Sequence, residues 1–134
     1  MLEKNRDTLK IVYKAYPLPN HKMAMPAVVA AFAAGRQGKF WEMHDKLFAD
    51  FRNLTPERIK LYATELKIDM VQYEKDLADP KVQAQIGRDL REGQLAGVGG
   101  TPTMFINGLL VENRSPQAMQ AMIDRELVKR AKAK

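Results

Sequence analysis

The chain has 134 residues, no cysteine and a formal net charge of +6, with 46% hydrophobic and 28% charged residues. This size and balance predict one globular domain with a single core, and no stretch approaches the roughly 18 to 20 apolar residues of a membrane span. The absence of cysteine excludes disulfides, thiolate metal sites and a thiol nucleophile within this chain.

The first residues, MLEKNRDTLK, contain no apolar signal-peptide region. Residues 2–8 are polar and resemble the end of a helix. The next segment, Leu9–Leu18, alternates side chains between two faces and is rich in β-forming residues. It predicts a β-strand that ends at Pro17 and Pro19, because proline cannot donate to a sheet.

A long helical section follows the predicted strand. Apolar residues at spacings of three and four positions predict successive helices with one inward face each. Gly35 and Gly38 are predicted to end the first of these helices, and Gly97 the last. The predicted inward residues include Met25, Val28, Val29 and Phe32, then Phe40, His44, Leu47, Phe48 and Phe51, and then Ile59, Tyr62, Ala63 and Leu66. The next helical segment contains Val71, Tyr73 and Leu77, and the helix after it carries Val82, Ile86 and Leu90.

Four residues have the side chains and neighbours of helix N-caps. Thr55, Asp79 and Ser115 each precede a proline, which suits the first position of a helix. Asp69 is followed three positions later by Gln72, the spacing of a capping box. The helix that follows Ser115 is the last predicted element.

The segment GVGGTPTMFING, from Gly97 to Gly108, is the most informative part of the sequence. Glycines precede Thr101-Pro102, which we expect to be a cis peptide because proline lowers the cost of the cis form to about 0.5 to 1 kcal/mol. Asn107-Gly108 separates the apolar triplets MFI and LLV. Both residues tolerate positive φ, so the pair predicts a β-hairpin with a type I′ turn.

The order of strand, helical block, hairpin and helix predicts an α/β fold in which a sheet is covered by helices. Three short strands would make a thin sheet beneath so large a helical layer. We therefore expect either a fourth strand supplied by another chain or a polypeptide that lacks its beginning.

The segments Tyr16–Phe48 and Gly97–Gly108, taken together, resemble the DsbA-like branch of the thioredoxin superfamily. The resemblance covers nearly the whole chain. It implies a partial thioredoxin-like fold, with residues 1–18 and 97–134 as the core portion and 19–96 as an inserted helical subdomain. It also implies that the central strand and the Cys-X-X-Cys segment of the family are missing from this sequence.

The same resemblance implies that Thr101 and Pro102 match the cis-proline dipeptide that pairs with the backbone of an extended or unfolded polypeptide substrate. Family members oxidise, reduce or isomerise protein disulfides, which requires thiols. We expect this chain to be redox-silent, with no catalytic residue, cofactor or metal of its own. The alternative is a redox-inactive polypeptide-binding or interaction module. The compartment stays open between bacterial periplasmic or secreted and cytoplasmic.

The net charge of +6 would permit weak attraction to an anionic partner such as nucleic acid or a membrane surface. Its densest part, Lys129–Lys134, is typical of a solvated helix end, where cations complement the carbonyl pole of the helix. Nucleic-acid binding is a third and weaker interpretation without a supporting motif. We expect neither nucleic acid nor a membrane as partner.

Two interpretations compete for the aromatic segment around Phe40. Phe40 and Trp41, with Met43, are candidates for a hydrophobic groove that binds unfolded polypeptide, because methionine-rich surfaces adapt to their partners. Packing between helices is the favoured interpretation of the same residues.

Histidines and carboxylates in the helical section do not suggest a catalytic or metal site. His21 and His44 are too far apart in sequence to promise a set of convergent metal ligands. Glu42, Asp45 and Asp50 fall mostly on the polar side of their helix, so we expect a solvated face.

In the thioredoxin-like order, the strand containing Ile11 and the strand containing Met104 flank the missing central strand. Unpaired backbone groups and apolar faces would remain exposed. We therefore expect a strand-exchanged homo-oligomer, or a rearrangement in which these two strands pair directly.

Overall fold

The computed structural model describes residues 2–134. Within this range the chain starts with a short 3₁₀ helix, Glu3–Asn5, and continues with six α-helices and one two-stranded sheet. In chain order these are α1 (Ala24–Gly35), α2 (Phe40–Ala49), α3 (Pro56–Glu65), α4 (Met70–Leu77), α5 (Pro80–Leu95), β1 (Phe105–Ile106), β2 (Leu109–Leu110) and α6 (Pro116–Lys132).

The chain divides into two compact units. One consists of the residues up to Tyr13 together with Val98–Lys134, and contains the hairpin and α6. The other, Lys14–Gly97, contains α1 to α5. The sequence predicts a different division, with residues 1–18 and 97–134 as a core portion and 19–96 as an inserted subdomain. That division stays a prediction.

The unit Lys14–Gly97 is built around α1, which contacts each of α2, α3, α4 and α5. Four of its alanines, Ala30, Ala31, Ala33 and Ala34, are buried, and small side chains let neighbouring helices approach closely. Met25, which the spacing pattern placed on the inward face of α1, is exposed, whereas Val28 and Val29 are buried. The core of this unit comprises Ala30, Ala31, Ala33, Ala34, Met43, Leu47, Ile59, Tyr62, Ala63 and Tyr73.

The predicted N-caps are all present. Thr55 accepts a hydrogen bond from the backbone N–H of Arg58, Asp69 from Gln72, Asp79 from Lys81, and Ser115 from Ala118. The capping box at Asp69 is only half formed, because the Gln72 side chain donates to Asp76 at 3.1 Å rather than back to the cap.

The prediction of a β-strand over Leu9–Leu18 is wrong, because these residues have no regular secondary structure. A strand needs a neighbour for its backbone groups, and in the part of the chain that the structure describes the sheet contains only β1 and β2. The N–H of Ala15 donates instead to the side chain of Asp89. Pairing with the Met104 segment is therefore not observed, and strand exchange between two chains stays a prediction.

The predicted hairpin is formed. β1 and β2 are antiparallel, with Phe105 opposite Leu110 and Ile106 opposite Leu109. Asn107 has φ of 48° and Gly108 of 79°, so both central residues adopt the left-handed conformation that a type I′ turn requires.

Candidate functional site

The proline corner, which we define as Val98–Thr103, connects the end of the helical section to the hairpin. Gly97, just before it, has φ of 78°, which agrees with the glycine stop predicted for α5. The peptide bond between Thr101 and Pro102 is cis, as the sequence analysis expected. The Thr103 hydroxyl donates to the carbonyl of Gly100 at 2.6 Å and so closes the turn around this bond.

Thr101 and Pro102 are both exposed to solvent. Neither the N–H nor the carbonyl of Thr101 makes a hydrogen bond with any residue in the range 2–134. An unpaired backbone donor and acceptor on an exposed residue can pair with an extended peptide in the manner of an added strand. Thr101 therefore has an unpaired backbone donor and acceptor among the described residues, and a role for Thr101 and Pro102 in substrate binding stays a prediction.

Arg114 approaches the same corner from the loop between β2 and α6. Its Nη1 donates a hydrogen bond to the carbonyl of Pro102 at 2.9 Å. Arg114 was not predicted as a site residue, because nothing in the local sequence around it indicates which carbonyl its side chain will reach. The contact joins residues that are 12 positions apart.

The hairpin beside the corner exposes apolar side chains and open backbone edges. Met104, Phe105, Leu109 and Leu110 are all exposed large hydrophobic residues. One further bond, from the N–H of Val111 to the carbonyl of Met104 at 2.9 Å, extends the pairing beyond the two-residue strands.

A contact with α6 fixes the turn of the hairpin. The Asn107 side chain donates to Glu126 at 3.3 Å. Hydrogen bonds from Lys129 and from Asn107 hold the pKa of Glu126 below its ordinary value. The turn is therefore anchored by a carboxylate that stays ionised at neutral pH.

The two histidines are not brought together with further ligands. His44 Nδ1 lies 3.0 Å from a carboxylate oxygen of Asp45, so this helix histidine has a polar partner. Within residues 2–134 no group of three or more histidine, cysteine, aspartate or glutamate side chains is arranged to hold a metal ion. The structure also contains, in that range, no helix both long and apolar enough to cross a bilayer.

In the aromatic segment of α2, some residues pack in the core and others form an exposed hydrophobic surface. Met43 is fully buried in the core, as the packing interpretation predicts, whereas Trp41 is 45% exposed. The Trp41 ring meets Phe40 edge-on, with ring centroids 5.0 Å apart. Met43 is therefore not part of an exposed groove, and the aromatic surface that α2 presents comes from Trp41 and Phe48.

The expectation of a solvated carboxylate face on α2 is wrong for Asp50. This side chain accepts hydrogen bonds from the hydroxyl of Tyr62, from Arg58 and from Asn53. The Tyr62 hydrogen bond is the largest of the effects that lower the pKa of Asp50 to about 2. Tyr62 lies on α3, so its approach to Asp50 depends on how the two helices pack.

Comparison with known proteins identifies the family to which such a site belongs. The model of the thioredoxin family matches residues 1–125. A thioredoxin-like oxidoreductase from Silicibacter pomeroyi has a solved structure that superposes with a TM-score of 0.70 at 25% sequence identity, covering 88% of this chain and 68% of that one.

Curated relatives align with a large part of the chain. The Na(+)/H(+) antiporter NhaA 3 of Salinispora tropica is 39% identical over 102 residues, or 75% of this chain. The Na(+)/H(+) antiporter NhaA 1 of Salinispora arenicola is 41% identical over 101 residues, or 75% of this chain. The Na(+)/H(+) antiporter NhaA of Herminiimonas arsenicoxydans is 35% identical over 96 residues, or 72% of this chain. The chain spans about 16% of the length of each of these relatives.

Proposed function

This chain belongs to the thioredoxin family, in its DsbA-like branch, and we propose that it binds extended polypeptide at the proline corner while being redox-silent by itself. Members of this branch act on protein disulfides, and the solved relative is described as an oxidoreductase. In this proposal the chain binds polypeptide, as members of the branch do, but does not catalyse thiol-disulfide exchange.

The unpaired backbone of Thr101, an exposed residue, is the observation that carries the binding part of the proposal. Its N–H and carbonyl have no hydrogen-bond partner among the described residues, and Thr101 is an exposed residue. An extended peptide that paired with both groups would satisfy them as a neighbouring strand does. The exposed side chains of the hairpin offer apolar contacts beside this pairing unit.

The redox-silent part follows from the chemistry of disulfide exchange. A thiolate must attack a disulfide sulfur, and a second thiol must resolve the mixed disulfide that results. The 134 residues contain no cysteine, and neither a serine nor a threonine hydroxyl can cycle between dithiol and disulfide states.

Peptide titration tests the binding. A fluorescein-labelled extended peptide, titrated with this chain and followed by anisotropy, is expected to bind saturably. N-methylation of the peptide residue that pairs with Thr101 should weaken binding about 3- to 10-fold, because it removes one hydrogen bond. N-methylation one residue further along is the matched control, since that N–H points away. Absence of saturable binding would refute the binding proposal.

Insulin reduction tests the redox part separately. With dithiothreitol as electron donor, this chain is expected to give the uncatalysed rate, whereas a thioredoxin-family protein with an intact Cys-X-X-Cys pair accelerates the reaction. Turnover above background by this chain would contradict redox silence and leave the binding proposal untouched.

A further inference from the structure

The side chain of Arg114 is held against the proline corner by a single neutral contact. Its Nη1 donates to the carbonyl of Pro102 at 2.9 Å, and Arg114 is exposed. Pro102 directly follows Thr101, whose backbone groups are free. A guanidinium is thus fixed next to the pairing unit that the proposed function uses.

Most of the hydrogen-bonding capacity of Arg114 is unused. A guanidinium has five N–H donors in a rigid fork, and within residues 2–134 Arg114 makes this one hydrogen bond and no ion pair with a carboxylate. Glu112, an exposed residue on the same loop, is not paired with it. By contrast, Lys129 of α6 is bound to Glu126 at 2.6 Å.

We propose that Arg114 is a specificity-determining residue that selects extended polypeptides carrying an acidic side chain next to the residue paired with Thr101. This inference rests on the proposed binding of polypeptide at the proline corner. The fork of a guanidinium matches the two oxygens of a carboxylate. Because the Pro102 carbonyl already orients the fork, little additional side-chain freedom is lost when a carboxylate binds.

The expected size of the effect follows from the exposure of the site. A solvent-exposed ion pair contributes little and is screened by salt, whereas a charge-assisted hydrogen bond that excludes water contributes more. We expect an acidic residue to tighten binding about 3- to 10-fold over its neutral counterpart at low ionic strength. The preference shrinks as salt is added.

The test uses three extended peptides that differ at one position, glutamate, glutamine or lysine, titrated against the full chain by fluorescence anisotropy at low and high salt. The expected order of affinity is glutamate, then glutamine, then lysine. In Arg114→Gln the preference for glutamate over glutamine is lost, and in Arg114→Lys part of it returns. Arg130→Gln, which removes an exposed arginine from the last turn of α6, is the matched control and keeps the preference.

The outcomes separate this inference from the proposed function. If the wild-type chain binds all three peptides equally, the role of Arg114 is refuted while polypeptide binding stands. If Arg114→Gln weakens all three peptides by the same factor, Arg114 merely supports the corner and the inference is again refuted. If none of the peptides binds, the proposed function fails and this inference fails with it. Thermal melts of each variant establish that it is folded.

Discussion

The buried carboxylate of Asp89 accepts a hydrogen bond from the backbone N–H of Ala15, with nitrogen and oxygen 2.9 Å apart. Asp89, on α5, is only 2% exposed, and Ala15 is fully buried. The second carboxylate oxygen accepts from the Gln85 side chain at 2.9 Å and lies 3.6 Å from the Lys14 ammonium. The Asp89 side chain thus supplies the hydrogen-bond acceptor that a neighbouring strand would otherwise supply to the N–H of Ala15.

Replacement of Asp89 by alanine should therefore destabilise the protein strongly. The Ala15 N–H would be left buried without an acceptor, which costs about 2 to 3 kcal/mol of unfolding free energy. Chemical denaturation measures this loss. Glu92→Gln is the control, because Glu92 pairs with the same Lys14 at 2.8 Å but is exposed, and loss of an exposed ion pair should change the unfolding free energy much less. Equal losses in the two variants would contradict the assigned role of Asp89.

The Asp50–Tyr62 hydrogen bond should make the pKa of Asp50 sensitive to a change on α3. The folded-state pKa of about 2 lies below the ordinary value of 3.8. The ionised carboxylate therefore stabilises the fold above about pH 4, and this contribution disappears as the pH falls from about 4 to about 2. In Tyr62→Phe, NMR titration of the Asp50 carboxyl should show a higher pKa, and acid should unfold the variant with a smaller pH-dependent loss of stability.

An exposed neighbour on the same helix provides the control for that experiment. Leu61→Ala removes no hydrogen bond to Asp50 and should leave its pKa unchanged. An unaltered Asp50 pKa in Tyr62→Phe would show that the hydroxyl does not determine it.

Loss of the Thr55 cap should shorten or fray α3. The Thr55 hydroxyl accepts from the Arg58 N–H at 3.2 Å, and replacing such a cap with alanine costs about 1 kcal/mol. Thr55→Asp keeps an acceptor and should retain the stability. Thr64→Ala, an exposed threonine near the end of α3, should be neutral or slightly stabilising. Denaturation midpoints compare the three, and a loss shared by Thr55→Ala and Thr64→Ala would argue against capping.

The two faces of α2 should respond differently to truncation. Met43→Ala opens a cavity in the core and is expected to cost about 2 to 5 kcal/mol. Trp41→Ala, although it removes a larger side chain, removes one that is half exposed and should cost about 1 kcal/mol through its lost aromatic contacts. The reverse order of unfolding free energies would mean that α2 presents its other face to the core.

Exposed apolar residues in the unit that contains the hairpin should promote self-association. Val12 is 63% exposed and Leu110 53%, and apolar surface beside open strand edges is a common route to association. Sedimentation velocity should show concentration-dependent oligomers that Val12→Lys and Leu110→Lys weaken. Val71→Lys, at an equally apolar position on α4 with 69% exposure, should not. A monomer at all concentrations would refute the strand-exchange prediction.

Features that depend on adjacent residues could be predicted from the sequence. The caps at Thr55 and Ser115 and the turn at Asn107-Gly108 are each closed by groups a few positions apart, so the local sequence contains all the atoms involved. The family could be recognised for a similar reason, since the segments Tyr16–Phe48 and Gly97–Gly108 are each continuous in the chain and keep their order.

Features that depend on distant residues could not be predicted in this way. The predicted strand Leu9–Leu18 had the right alternation but no partner, and Asp89, 74 positions from Ala15, took its hydrogen bond. Asp50 with Tyr62, and Arg114 with Pro102, likewise meet only in the folded chain. The sequence by itself determined the starts of α3 to α6, the turn and the family, because those rest on neighbouring residues. Only the tertiary structure decided which polar groups are paired and which stay free for a ligand, because that depends on which distant segments the fold brings within hydrogen-bond distance.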